Sequence, residues 1–116
     1  MKDVVRPVRK LMEAAGQPFP NEDTAKLYRD LIDEEMKEFI DAETPEEELD
    51  AVLDLAWVLV GYALAKGWLV RSAWEEVVRS NMSKIPENGK MLKREDGKFL
   101  KPPGYSAPDL TPFVKG

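Results

Sequence analysis

Apolar residues recur at helical spacing along four stretches of the chain, and no stretch sustains the alternation of period two that a half-buried strand shows. The first predicted helix covers Val4 to Ala15 and stops at Gly16, with Pro18 and Pro20 just beyond. The second runs from about Thr24 to Asp41, with Asn21 or Asp23 as its cap. Thr44-Pro45-Glu46-Glu47 then restarts the chain: Thr44 suits the N-cap, Pro45 the first helical position, and Glu47 completes a capping box. The third helix continues to Lys66, before Gly67. Ser72-Ala73-Trp74-Glu75 has the form of a second capping box, and the fourth helix reaches about Lys84, before Pro86. Four helices with short connections predict an all-α, four-helix bundle-like protomer. Residues 1–85 form the bundle, and residues 86–116, rich in proline, glycine and lysine, form an extended C-terminal arm of the same domain. Within the arm, Met91-Leu92 and Phe99-Leu100 flank Asp96-Gly97, a pattern suited to a small hairpin.

The helix faces carry acids where apolar residues belong. On a wheel of about 100° per residue, Tyr28, Leu31, Ile32 and Phe39 define the apolar stripe of the second helix. Glu35 falls inside that stripe, Glu38 at its edge with Glu34 beside it, and Lys37 points the other way. In the third helix, Asp54 is the only charged residue from Ala51 to Ala65, and its wheel neighbours are Ala51, Trp57, Val58 and Gly61. Asp50 lies one turn earlier and Glu47 nearly one turn before that. The fourth helix is expected to bury Trp74, Val77, Val78 and Ile85, with Asn81 in the middle of that set and Lys84 a turn on.

Composition narrows the chemistry. Hydrophobic residues at 43% and charged residues at 34% are globular values, so global disorder is not expected. There is no histidine and no cysteine, which excludes an imidazole base, a thiol nucleophile, a disulfide framework and thiolate metal sites. Carboxylates, lysines, hydroxyls, amides or a hard metal ion remain. The run Ala51–Ala65 is interrupted by Asp54 and falls short of the roughly 20 apolar residues of a bilayer span. The charged N-terminus lacks the apolar core of a secretory signal, so a cytoplasmic location is expected.

Net charge is −5, unevenly spread. Residues 1–83 carry 10 basic and 18 acidic side chains, whereas residues 84–101 carry six basic and three acidic ones. An acidic body argues against duplex nucleic acid as a partner, because phosphate backbones require a basic footprint. Burying unpaired carboxylates costs several kcal/mol in practice, roughly, so such groups pair, protonate or bind metal. The faces bearing Glu35 and Asp54 hold too few cations to pair them all. A divalent cation resolves the conflict, and an oxygen-only donor set suits magnesium, with manganese as a substitute.

Glu34, Glu35 and Glu38 as EExxE, followed by an apolar helix of the form DxxxDLAWVLVGYALAKG, resemble the MazG-like all-α nucleoside triphosphate pyrophosphohydrolases, in particular the branch related to phosphoribosyl-ATP pyrophosphohydrolase and dimeric dUTPase. Gly16-Gln17-Pro18, Arg79-Ser80-Asn81-Met82-Ser83-Lys84, and Asp96-Gly97-Lys98 with Lys101 and Gly104-Tyr105 look like the same branch. The resemblance implies the all-α NTP pyrophosphatase fold and hydrolysis between the α and β phosphates, with magnesium held by carboxylates. Carried over, Glu34, Glu35, Glu38, Asp50 and Asp54 become metal ligands, and Glu35, Glu38 and Asp54 the catalytic set. The usual second motif is ExxD, whereas Ala51 stands three residues before Asp54. Either Asp50 supplies the missing carboxylate, the favoured reading, or Glu47-x-x-Asp50 is the operative pair.

Lys84, Lys98 and Lys101 suit phosphate oxygens as point charges, and Asn81 a phosphate or sugar oxygen. Gln17 and Trp57 are candidates for a base slot, and Tyr105 belongs to the arm motif. Four short helices leave the apolar third helix poorly covered, which predicts a homodimer or homotetramer, as the family resemblance also implies. Two other readings compete: a dUTPase-type specificity, and a non-catalytic helical module that binds a nucleotide or a protein.

Overall fold

The computed structural model describes residues 3–114. Four α-helices account for most of them: α1 (Val5–Ala14), α2 (Glu22–Asp41), α3 (Pro45–Ala65) and α4 (Val70–Met82), with a single 3-10 turn at Thr111–Phe113. Among the described residues there is no strand, and the protein is an all-α four-helix protomer. The chain forms two compact units that divide between Val70 and Arg71.

In the first unit α1 and α2 both pack on α3. The α2–α3 pair is antiparallel, since the Asn21 N–H at the start of α2 donates to the Ala65 carbonyl at the end of α3 (2.9 Å). Helix ends follow their sequence signals. The Asn21 side chain caps α2 by accepting from the Thr24 N–H (3.0 Å). Thr44 caps α3 by accepting from the Glu47 N–H (3.1 Å). Glu47 reaches back one residue further than a standard capping box, to the Glu43 N–H (3.1 Å). Gly16 (φ 69°) and Gly67 (φ 78°) end α1 and α3 in the left-handed conformation. At both, the N–H of the glycine and that of the residue after it return to the last helical turn in a Schellman pattern.

The core of this unit joins Val5, Val8 and Met12 of α1 to Ala25 and Tyr28 of α2 and to Val58, Leu64 and Ala65 of α3. Tyr28 lies flat against Gly61, where any Cβ would overlap its ring, so the missing side chain lets the two helices approach. The Tyr28 hydroxyl donates to Gln17 Oε1 (2.7 Å), which satisfies a buried polar group. One expectation fails in α2: Phe39 is 39% exposed, although it lies on the wheel's apolar stripe. The buried cluster that joins the three helices takes in Ala25 and Tyr28 of α2, with Leu31 and Ile32 packed against it, and ends short of Phe39.

The second unit contains α4 and the residues that follow. Its helix starts at Val70, so Ser72 is inside the first turn and caps nothing: after Gly67 only Trp68 and Leu69 intervene before the helix begins. The expected burial of the α4 apolar face does not occur. Trp74 is 66% exposed, Ile85 and Val78 are exposed, Val77 is half-buried, Asn81 is exposed, and Ser80 is the buried residue of the helix. The reason is that the tail docks on the other face. Glu76 accepts two hydrogen bonds from Arg79 (2.6 and 2.9 Å) and one from the Asp109 N–H (2.7 Å). Arg79 also donates to the Ala107 carbonyl (3.2 Å), and Ser83 Oγ accepts from the Ser106 N–H (3.0 Å). The predicted hairpin is present in reduced form: Lys93 and Phe99 make an antiparallel bridge around a turn ending at Gly97 (φ 86°).

Candidate metal centre

Glu35 and Glu38 stand one turn apart on α2, and Asp54 faces them from α3. One carboxylate oxygen of each lies within 4.8 Å of the other two. The local sequence explains the placement, because the stripe that buries Tyr28 continues two turns on to Glu35. Glu35 is half-buried and Glu38 exposed. Glu35 Oε2 is sealed from solvent and has no hydrogen-bond partner. An orphaned buried oxygen beside two further acids is costly unless something positive meets it.

The electrostatics agree. The Glu35 carboxyl is pushed up to about 7, first by burial, then by hydrogen bonding to and the charge of Glu38, then by Asp54 and Asp50. Asp54 is raised as well, by burial first, then by Asp50 and Glu38. Among the described residues no lysine or arginine forms an ion pair with Glu35, Glu38 or Asp54. Like charges forced together, with a donor set made only of oxygen, fit a hard divalent cation. The residues present therefore fit a metal.

The other expected site residues fall in different places. Asp50 is exposed, and its charge acts on both Asp54 and Glu35. An open depression of about 420 Å³ beside it is lined by Lys37, Glu38, Asp41 and Glu47 among others. Glu47 is engaged in capping, as described above. Glu34 is exposed and gives no oxygen to the three-carboxylate group. Trp57 is half-buried against the core one turn after Asp54, and Gln17 holds the Tyr28 hydroxyl.

Asn81, Lys84, Lys98, Lys101 and Tyr105 belong to the second unit. There Asn81 and Lys98 are exposed, Lys84 is half-buried, and Lys101 Nζ sits 5.1 Å from the centre of the Tyr105 ring. The Glu76–Arg79 pair that fastens the tail was not anticipated from the sequence. Its signal is the i, i+3 spacing of opposite charges on α4.

A helical protomer whose paired helices present converging carboxylates defines a class of all-α protein with a candidate metal site. Comparison with known families identifies it further. A family model described as phosphoribosyl-ATP pyrophosphohydrolase matches residues 5–81, most of the chain, and the protein belongs to that family. Membership makes it a hydrolase of the pyrophosphohydrolase type. No curated protein matches the chain. Among the described residues, no helix is long and apolar enough to cross a membrane.

Proposed function

We propose that the protein is a magnesium-dependent nucleoside triphosphate pyrophosphohydrolase, cleaving between the α and β phosphates to release a nucleoside monophosphate and pyrophosphate. The observation that carries this reading is the Glu35–Glu38–Asp54 cluster with its orphaned Glu35 Oε2. Those three residues, with Asp50 at the rim, are the metal ligands; Glu34, the further ligand expected from the EExxE motif, stands outside the group. Asp50 takes the place of the family's usual glutamate, which the capping engagement of Glu47 supports. Bound magnesium, or manganese in its place, would polarise the scissile phosphate and offset charge on the departing pyrophosphate. A carboxylate of the Glu35, Glu38 and Asp54 set orients the attacking water and accepts its proton.

Catalysis falls to the helical residues 1–85, and the arm, residues 86–116, serves the substrate. Lys84, Lys98 and Lys101 neutralise phosphate oxygens, Asn81 and Tyr105 add polar contacts, and Gln17 and Trp57 contribute to the base slot. Housecleaning of the nucleotide pool or a dUTPase-like role both suit this chemistry, in the cytoplasm and without a duplex nucleic-acid partner. A homodimer or homotetramer is supported by a stripe on α3, where Leu49, Val52, Leu53 and Leu59 are all exposed.

The test is a panel of ribo- and deoxyribonucleoside triphosphates, with phosphoribosyl-ATP, incubated with magnesium and separated by chromatography. Monophosphate and pyrophosphate without a diphosphate are expected. Diphosphate with orthophosphate overturns the cleavage position. A binding module would give no turnover, and no joint rise in melting temperature with magnesium and a nonhydrolysable triphosphate.

A further inference from the structure

A second charged feature lies elsewhere on the α2–α3 pair, and its sign is opposite. A pocket of about 190 Å³ is lined by Glu22, Ala25, Lys26 and Arg29 of α2 and by Tyr62 and Lys66. On the α2 wheel, Glu22, Lys26 and Arg29 lie about 100–160° to one side of Tyr28, whereas Glu38 lies about 80° to the other. Arg29 and Glu35 are also separated by about 9 Å along the axis. The pocket is therefore separate from the carboxylate cluster.

Three cationic residues line it, on a chain whose net charge is −5. Lys26 and Arg29 each have an acid four residues on, Asp30 and Asp33, at the spacing that pairs across a helix turn. Neither forms that pair, and among the described residues neither has a carboxylate partner. Both line the pocket instead. Lys66 already shows what the site accepts: its Nζ lies 3.3 Å from Glu22 Oε1. The Glu22 side chain is 86% exposed, so this oxygen is held mainly by water and is cheaply displaced. The Tyr62 ring forms a fixed wall, set edge-to-face against Trp68 at 5.8 Å.

We propose that this pocket binds a phosphate-type oxyanion, with the Arg29 guanidinium donating to two of its oxygens and Lys26 and Lys66 supplying point charges. Arginine presents a planar fork matched to such an anion, and the flanking ammonium groups need no fixed geometry. The anion is either free phosphate or pyrophosphate, or a phosphate carried on a larger molecule.

The experiment uses the whole protein in chelator, where no divalent cation can draw phosphates to the carboxylates. Orthophosphate, pyrophosphate and a nucleoside monophosphate are titrated separately and followed by amide and side-chain NMR. Saturable shifts centred on residues 22–29 and 62–66 are expected, and the tightest of the three probes identifies the source. Lys26→Gln with Arg29→Gln should weaken binding about tenfold or more, since hydrogen bonds to charged groups are individually strong. Glu22→Gln should tighten it by removing the competing carboxylate, and Lys10→Gln, at an exposed lysine of α1 outside the pocket lining, should change nothing. The proposal is overturned by the absence of saturation with all three probes, by shifts centred elsewhere, or by equal affinity in the double variant. Because no hydrolysis or metal is involved, such a failure leaves the proposed reaction untouched.

Discussion

At the end of the α2–α3 hairpin nearest Asn21 and Ala65, the facing residues are Ala25, Tyr28, Gly61 and Leu64, and α1 closes over them with Val8 and Met12. About two turns further along α2, the same face presents Glu35 and Glu38 to Asp50 and Asp54. The helices and the wheel positions are alike at both ends. What differs is α1: the buried cluster it joins reaches Tyr28 of α2, with Leu31 and Ile32 packed against it, and the acids lie beyond. Where three helices meet, an apolar stripe becomes core. Beyond that cluster, carboxylates on the same stripe face one another instead of packing. The candidate site occupies the part of the hairpin that the core leaves uncovered.

The largest expected effect comes from the acidic end. Asp54→Asn keeps the shape and removes one charge, so hydrolysis should fall by about 10³-fold or more if the cluster holds the metal. The metal-free variant should be as stable as the parent or more so, by about 0.5–2 kcal/mol. Magnesium should then stabilise it less than the parent. Assays paired with melts in chelator and in magnesium check both halves, and a less stable metal-free variant with an unchanged magnesium response would show the acid to be structural.

At the covered end the sign reverses. Met12 is fully buried, and Met12→Ala should cost about 2–5 kcal/mol by leaving a cavity. Denaturant unfolding of the two variants side by side measures the contrast directly.

A subtler difference lies in pH. A carboxyl whose folded pKa exceeds its unfolded value holds more protons folded than unfolded across that interval, so stability falls as pH rises through it. For Glu35 the interval runs from 4.5 to about 7, and the raised Asp54 acts in the same direction. Metal-free protein should therefore lose stability from about pH 4.5 to 7 and level off above. Glu76 is held down at about 2 by Arg79 and the Asp109 N–H, so its contribution is complete above 4.5 and leaves the interval clear. Thermal melts in chelator from pH 4 to 8 should show a smaller slope for Glu35→Gln than for the parent, and a melting temperature that climbs with pH in the parent would refute the repulsion. Excess magnesium should flatten or reverse the slope, because cation binding favours the deprotonated acids.

The smallest contrast concerns the caps. Thr44→Ala, at the open end, should cost about 0.5–1 kcal/mol. Asn21→Ala, which removes a part-buried cap bond where that of Thr44 is exposed, belongs near the upper figure of about 2 kcal/mol. Equal costs would mean that the two ends are equally rigid.

Much of this was legible in the chain. The stops at Gly16 and Gly67, the caps at Asn21 and Thr44, and the conflict posed by Glu35 and Asp54 on apolar faces are all local, and local signals survive folding. Less legible were features that depend on what lies opposite. Ser72 has the form of a cap but sits within α4, because Val70 is already helical. Trp74 and Ile85 have the periodicity of core, but the tail docks against Glu76, Arg79 and Ser83 on the other face.

The sequence by itself determined the helices, their ends and which residue types would share a face, because these follow from periodicity and from hydrogen bonds between near neighbours. Only the tertiary structure decided which stretch of each face is covered. It brought Glu35, Glu38 and Asp54 within 4.8 Å of one another and left Glu34 in solvent. It also left Glu35 Oε2 without a partner. Burial and charge repulsion are properties of what stands across a gap, and helical spacing along one chain segment says nothing about the far side.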